Sequence, residues 1–175
     1  MDLSERVRRL EDRVELNDLI VSYFLAADSD DLEGVGNSFT DAATFSTSGT
    51  AVGERRAGII DFIRASREQM GRTLHTPNYA QFTFDGPDRA RGLIGAHLEL
   101  VLGGKTVYGA VRYMDEYRRV DVEWRIHARD MRTIYIAPWL EAGEAFASST
   151  PVRWPGSPAT GSDYPRRFDQ FNQNY

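Results

Sequence analysis

The chain has 175 residues, of which 41% are hydrophobic and 27% are charged, a composition typical of one globular domain. It contains no cysteine, which excludes disulfides, thiolate metal sites, iron–sulfur clusters and cysteine nucleophiles. The net charge of −5 disfavours nucleic-acid binding, because proteins of that class usually carry a clustered basic surplus. The N-terminus is charged and lacks an apolar signal segment, so we expect a cytoplasmic protein that neither crosses nor binds a membrane.

The first third of the chain is predicted to be helical. Ser4 is the expected N-cap of a long helix that ends in the polar segment 28–31. A short helix over 32–39, a short strand over 43–47 and an amphipathic helix over 53–70 are expected to follow. Helical spacing predicts one continuous apolar stripe on the first helix, formed by Leu3, Val7, Leu10, Val14, Leu19, Ile20, Tyr23, Phe24 and Ala27.

The second half of the chain is predicted to form a sheet. Four β-rich runs, 78–84, 90–102, 106–120 and 123–136, are separated by the short turn segments DGPD, LGGK and VDVE. Short turns between consecutive strands predict an antiparallel meander. The fold class is therefore α+β, a cone-shaped α+β barrel in which N-terminal helices pack in a curved antiparallel sheet around an internal pocket.

We expect residues 1–138 to form this barrel domain and residues 139–175 to form a C-terminal extension. The extension should be largely irregular, because four prolines dominate its sequence. Its aromatic residues are expected to dock it on its own or a neighbouring subunit: Trp154, Tyr164, Phe168 and Phe171.

The sequence does not support a phosphate-binding loop or a metal site. The GGKT segment at 103–106 has Glu99 where a phosphate-binding loop needs glycine, and a β-like run follows it, so it predicts a hairpin turn. The three histidines lie far apart and show no metal-ligand spacing, so no metal site is expected.

The remaining candidate residues are suited to acid–base catalysis. His75 begins a strand just before a proline, Asp28 ends the first helix, and Tyr23 lies five residues before Asp28. A carboxylate that holds one ring nitrogen of a histidine fixes its tautomer and leaves the other nitrogen as a base. Each residue also has a plainer interpretation: Asp28 as a helix cap, Tyr23 as a core tyrosine, and Arg129 as a surface residue.

The segments YFLAAD (23–28), DAATF (41–45), HTP (75–77) and DEYRRVDVEWRI (115–126) occur in an order that resembles the SnoaL-like, nuclear transport factor 2-like superfamily. The branch most similar to this chain contains scytalone dehydratase, hexachlorocyclohexane dehydrochlorinase and bile acid 7α-dehydratase. The resemblance covers about residues 10–138. This superfamily supports many unrelated functions, so the fold alone does not fix the reaction.

The resemblance implies a role for each candidate residue. Asp28 and His75 fall where that branch has its catalytic Asp–His dyad, and Tyr23 falls where the bile acid enzyme has a catalytic tyrosine. Arg129 falls where the dehydrochlorinase has an anion-stabilising arginine, with Arg132 as a rival. Pocket-wall positions correspond to Phe45, Leu98 and Tyr113.

Two departures accompany the resemblance. Leu98 and Leu100 stand near a second aspartate or histidine of the related enzymes, while strict alternation turns the neighbouring His97 to the opposite face. Alternation also separates Arg129 from the side of the strand that carries Trp124 and Ile126, unless a β-bulge intervenes.

The resemblance implies a cofactor-free lyase that performs a dehydratase-type elimination on a small apolar, ring-containing metabolite. An isomerase or a retro-aldol lyase could use the same groups, and a non-catalytic ligand-binding or scaffold subunit is a further alternative. We also expect a homo-oligomer, a trimer by resemblance with a dimer as alternative. The expected interface is the outer face of the sheet, with Val107, Val111, His97 and Arg125.

Overall fold

The computed structural model describes residues 2–164, so Phe168 and Phe171 lie outside the described residues. Three helices and two strands alternate in the first half: α1 (Leu3–Asp28), α2 (Leu32–Asn37), β1 (Phe39–Thr47), β2 (Thr50–Glu54) and α3 (Arg55–Glu68). Four long strands follow: β3 (Met70–Phe84), β4 (Arg89–Leu102), β5 (Lys105–Val120) and β6 (Glu123–Pro138). A 3₁₀ turn (Trp139–Glu141) and α4 (Ala142–Ala147) begin the C-terminal extension.

The strands form one sheet in the order β2-β1-β6-β5-β4-β3. The meander from β3 to β6 is antiparallel, as predicted, and the helices pack against the curved sheet, which confirms the α+β fold class. One pair differs from the expected all-antiparallel sheet: β1 pairs with β6 in parallel, so the sheet is mixed and does not close. The GGKT segment is a hairpin turn in which Gly103 and Gly104 both have positive φ, a conformation that favours glycine.

Helix α1 carries two apolar stripes instead of one. Its N-cap is Asp2, not Ser4: Asp2 and Glu5 exchange hydrogen bonds in a capping box. Core residues on one side include Leu16, Ile20, Tyr23 and Phe24. The residues Leu3, Val7, Leu10 and Val14 are 45% to 71% exposed on the other side, so the prediction of one continuous stripe was wrong.

The outer face of the sheet is less apolar than expected. Val107 and Val111 are fully buried in the core, because they share the parity of Tyr113 on β5 and face inward with it. Their predicted place on the outer face was wrong. His97 does lie on the face opposite Leu98, where it bonds to the Asn78 amide oxygen at 2.8 Å and stacks on Tyr108.

A β-bulge interrupts β6 near its middle. Tyr117 pairs with Ile126 and Glu116 pairs with Ala128, so His127 is the extra residue. The bulge reverses the alternation that follows and places Arg129 opposite Asp115 on the inner face. This bulge re-aims the arginine that simple alternation turns outward.

The C-terminal extension folds back on its own chain. Val152 bridges Ile136 of β6 on one side and Thr160 on the other. Trp154 is thereby packed against the hydrophobic core.

Candidate active site

An internal cavity of about 140 Å³ lies between α1, α3 and the inner face of the sheet. Its wall is mainly aromatic and aliphatic. Tyr23, His75 and the three expected wall residues Phe45, Leu98 and Tyr113 all line it. Further wall residues are Ala27, Thr47, Phe62, Ile63, Ser66, Arg67, Met70, Thr73, Leu100, Met131 and Trp154.

Asp28 and His75 are in direct contact at one side of this cavity. The ring Nδ1 of His75 lies 2.7 Å from Asp28 Oδ1, and the backbone N–H of His75 donates to Asp28 Oδ2, also at 2.7 Å. The imidazole stacks on the Phe24 ring, with centroids 5.0 Å apart and planes 9° apart. One backbone hydrogen bond, one hydrogen bond of the ring and one stacking contact therefore fix the orientation of the histidine.

The surroundings of Asp28 favour its ionised form. Partial burial opposes ionisation, but hydrogen bonds from the His75 ring, the His75 backbone and the Thr73 hydroxyl outweigh it and hold the Asp28 pKa below its ordinary value. An ionised carboxylate only accepts hydrogen bonds, so Nδ1 of His75 must carry the proton. The lone pair of the neutral ring then lies on Nε2.

A polar chain supports the dyad from behind. Thr73 donates to Asp28 Oδ1 at 2.9 Å and accepts from Arg67 Nη1 at 2.8 Å. Arg67 is held in turn by an ion pair with Asp30 and by the carbonyl of Gly71. A guanidinium only donates hydrogen bonds, so the Thr73 hydroxyl must accept from Arg67 and donate to Asp28.

Tyr23 lies on the far wall with its ring against a guanidinium. The Arg129 Cζ atom lies 4.2 Å from the Tyr23 centroid and 4.6 Å from the Tyr113 centroid, so the cation is sandwiched between two aromatic faces. Burial raises the pKa of the Tyr23 hydroxyl, and Arg129 only partly opposes the shift. Tyr23 is therefore protonated and able to donate a hydrogen bond.

Arg129 lies behind the cavity wall and does not line the cavity. Its side chain is fully buried and binds Asp115 through two hydrogen bonds, Nε to Oδ1 at 2.9 Å and Nη2 to Oδ2 at 2.6 Å. The Tyr117 hydroxyl donates to Asp115 Oδ2 at 2.6 Å. Although burial opposes the charged form, Asp115 outweighs it and raises the Arg129 pKa further. Nη1 of Arg129 is buried without a hydrogen-bond partner.

His97 and Arg132 both lie away from the cavity. His97 lies on the outer face of the sheet, as alternation predicted. Arg132 is half-buried and forms an ion pair with Asp130 at 2.6 Å. Neither residue contributes to the cavity wall.

Four contributors were not identified from the sequence: Thr73, Arg67, Asp115 and Trp154. Asp115 lies in the DEYRRVDVEWRI segment that carries the resemblance, but its partner becomes apparent only when the bulge at His127 sets the register. Thr73 precedes His75 by two residues on the same face of β3, a spacing that alternation could have indicated. Arg67 and Trp154 carry no such local signal.

Residues 2–164 contain no cluster of three or more potential metal-binding side chains. No helix in that range has the length and apolar character needed to cross a membrane.

The fold and site together define a cone-shaped α+β protein with an aromatic-walled internal cavity and a histidine–carboxylate pair at its side. The sequence profile of the SnoaL-like domain matches residues 8–130. The chain belongs to the SnoaL-like domain family, as its sequence motifs indicated. No curated protein sequence matches the chain.

Solved structures of the same fold include enzymes of elimination chemistry. Hexachlorocyclohexane dehydrochlorinase type 3 from Novosphingobium barchaimii LL02 is 20% identical, with a TM-score of 0.70 over 76% of this chain and 93% of its own. A scytalone-dehydratase-like protein from Novosphingobium aromaticivorans is 13% identical, with a TM-score of 0.71 over 87% and 99%. A protein from the same organism, provisionally named an aromatic ring hydroxylase, is 27% identical, with a TM-score of 0.69 over 75% and 96%.

Proposed function

We propose that this protein is a cofactor-free lyase that eliminates water or a similar leaving group from a small apolar, ring-containing metabolite. The observation that carries the proposal is the Asp28–His75 pair at the edge of a mainly apolar cavity. In the proposed reaction, Nε2 of His75 takes a proton from a carbon made acidic by a neighbouring carbonyl or aromatic system. Asp28 stabilises the imidazolium that forms.

Tyr23 is the proposed acid of the reaction. It lines the cavity, and its raised pKa keeps the hydroxyl protonated, so it can donate to a leaving or carbonyl oxygen. Arg129 is the proposed positioning residue for Tyr23. Its charge is already balanced by Asp115, and it contacts the ring of Tyr23 instead of the cavity. Arg129 therefore eases the build-up of negative charge on the phenol oxygen from behind.

The cavity wall supports an apolar substrate of modest size. The wall contains four aromatic residues besides His75 and Tyr23: Phe45, Phe62, Tyr113 and Trp154. A flat ring can stack on such a wall, while Thr47, Ser66 and Thr73 provide hydroxyl groups at a few points. A volume of about 140 Å³ fits a compound of about one small ring, because a cavity of about 150 Å³ is large enough for benzene.

Isomerisation or C–C cleavage would begin with the same proton abstraction by His75. These reactions differ from elimination only in the fate of the carbanion, and the same cavity residues would serve both. A non-catalytic ligand-binding or scaffold subunit is the alternative from a different class.

A ligand screen followed by product analysis tests the proposal. Compounds that raise the melting temperature are selected from a library of small cyclic ketones, phenols and terpenoids, then incubated with the protein in D₂O. Loss of water, or of another leaving group, supports a lyase. An unchanged mass apart from incorporated deuterium indicates an isomerase, two fragments indicate a C–C lyase, and no conversion of any binder indicates a ligand-binding protein.

A further inference from the structure

The outward stripe of α1 forms a regular seven-residue pattern. With Val7 assigned to heptad position a, the a positions hold Val7, Val14 and Val21, and the d positions hold Leu3, Leu10 and Asn17. Each of the five apolar residues is at least 45% exposed. Val14 is nine residues from the buried Tyr23, about half a turn around a helix that advances 100° per residue, so the stripe faces away from the core.

We propose that this stripe binds the same stripe of a second copy of the chain, as a parallel two-stranded coiled coil. The contact extends over residues 3–21, which spans about 28 Å at 1.5 Å per residue. Valine at a and leucine at d is the combination that favours two strands. Asn17, at one d position, is the one polar residue of the stripe, and its amide donates to the Arg13 carbonyl of its own helix at 2.7 Å.

The flanking charges identify the occupant as a second copy in parallel orientation. Positions g hold Arg6 and Arg13, and the e positions that follow them hold Glu11 and Asp18. In a parallel dimer each g residue meets the e residue of the next heptad on the partner helix, so both pairings join opposite charges. In an antiparallel dimer g meets g and e meets e, which would place like charges together.

These flanking side chains are exposed on the helix surface. Arg13 also contacts the protein itself: it donates to the Phe82 carbonyl at 3.4 Å and lies over the Phe84 ring. The Arg6–Glu11 pair is therefore expected to contribute more to orientation than the Arg13–Asp18 pair.

Mass measurement tests the proposal on the full chain. Over about two decades of concentration, light scattering or sedimentation should give twice the monomer mass of 19.8 kDa at the upper end. The double variant Leu10→Glu/Val14→Glu should raise the dissociation constant by at least about 100-fold and give a monomer. Ser22→Glu is the matched control, since it adds a charge on the same helix outside the stripe, and its dimer should persist.

Charge exchange tests the orientation. Arg6→Glu should weaken the dimer about fivefold, because two pairs per dimer change from attraction to repulsion. Glu11→Arg should have a similar effect, and the double variant Arg6→Glu/Glu11→Arg should restore wild-type affinity. A double variant as weak as the single ones would contradict the parallel arrangement.

Cross-linking provides a readout that does not depend on the stability of charged variants. The chain has no cysteine, so Leu3→Cys creates a single thiol. Parallel helices bring the two thiols within disulfide distance, while antiparallel helices separate them to opposite ends of the stripe. Leu3→Cys should oxidise to a covalent dimer and Ser22→Cys should not.

Any of four results would overturn the proposal: a monomer at every concentration, an oligomer that Leu10→Glu/Val14→Glu leaves intact, a double variant Arg6→Glu/Glu11→Arg as weak as the single ones, or no cross-link through Leu3→Cys. None of these results bears on the catalytic proposal, because the stripe lies on the side of α1 away from the cavity.

Discussion

Asp28 and Asp115 are two shielded carboxylates that each bind a basic side chain, yet their surroundings differ in two respects. Asp28 and His75 keep 15% and 19% of their side-chain surface exposed, while Asp115 and Arg129 keep none. The partner of Asp28 is an imidazole, while the partner of Asp115 is a permanently charged guanidinium. The first pair therefore offers a lone pair at the cavity under the proposed mechanism, and the second is a fully buried structural ion pair.

The two pairs therefore have different roles in the proposed mechanism. The titratable pair borders the cavity, and the permanent pair lies behind the ring of Tyr23. Substitutions in the first pair should therefore change turnover more than stability, and substitutions in the second should change stability more than turnover.

The largest expected effect is the loss of turnover in His75→Ala. A positioned general base contributes about 10²–10⁴-fold, so we expect turnover of the substrate found in the screen to fall by about that factor. The melting temperature should remain near that of the wild type, because Asp28 keeps its hydrogen bonds to the backbone N–H of residue 75 and to Thr73. Asp28→Ala should resemble it, and the double variant should be little worse than either. Wild-type turnover in His75→Ala would exclude His75 as the base.

The second effect is on folding. Arg129→Met leaves the buried Asp115 carboxyl with only the Tyr117 hydroxyl as a donor, so the free energy of unfolding should fall by about 3–5 kcal/mol in urea titrations. The control is Asp115→Leu/Arg129→Met, which removes both charges and should lose less than Arg129→Met alone. A loss below about 1 kcal/mol in Arg129→Met would contradict the structural role assigned to this pair.

A smaller effect is expected for Tyr23→Phe. The variant keeps the ring that packs on Arg129 and removes only the hydroxyl, so turnover should fall about 10- to 100-fold with little change in stability. Steady-state kinetics should place the loss in kcat more than in KM, because the hydrogen bond strengthens as charge develops. A change confined to KM would indicate that Tyr23 only binds the substrate.

The smallest effect is the pH dependence of stability from Asp28. Its pKa is lowered in the folded protein, so the unfolded chain binds more protons over the interval below the ordinary value of 3.8. The stabilisation is therefore complete above that value and is lost as the pH falls through the folded pKa. Asp28→Asn removes this contribution, so the stability difference between wild type and variant should shrink on acidification. Urea titrations at several pH values measure it, and a difference that grows in acid would contradict the assignment.

The helices were predictable from the spacing of their apolar residues. The meander was predictable because a short turn joins each pair of consecutive long strands. β2 was missed because Thr50–Glu54 is a five-residue strand next to a helix of strong amphipathic pattern. The stripe on α1 was misassigned because apolar spacing of three and four residues fits a core-facing helix and a coiled-coil seam equally well. Periodicity alone does not determine which of two apolar faces is buried.

In the candidate site, too, residues with a local sequence signal were predicted and residues without one were not. Asp28 ends α1 as expected, whereas His75 lies inside β3, which begins at Met70, earlier than the sequence predicted; the structure places the two side chains in contact. Arg129 depended on a bulge whose extra residue, His127, has no sequence signature. Trp154 reaches the cavity through the path of the C-terminal extension, which no periodicity describes.

Trp154 is a wall residue of the cavity that comes from the C-terminal extension. The residue comes from a segment attached to β6 through the Val152 bridges, outside the six-stranded sheet. Exchanging it for a smaller or polar side chain would reshape the cavity while every strand pairing and the proton-transfer pair stayed in place. Because Trp154 also packs against the hydrophobic core, such an exchange would change the shape of the cavity at some cost in stability.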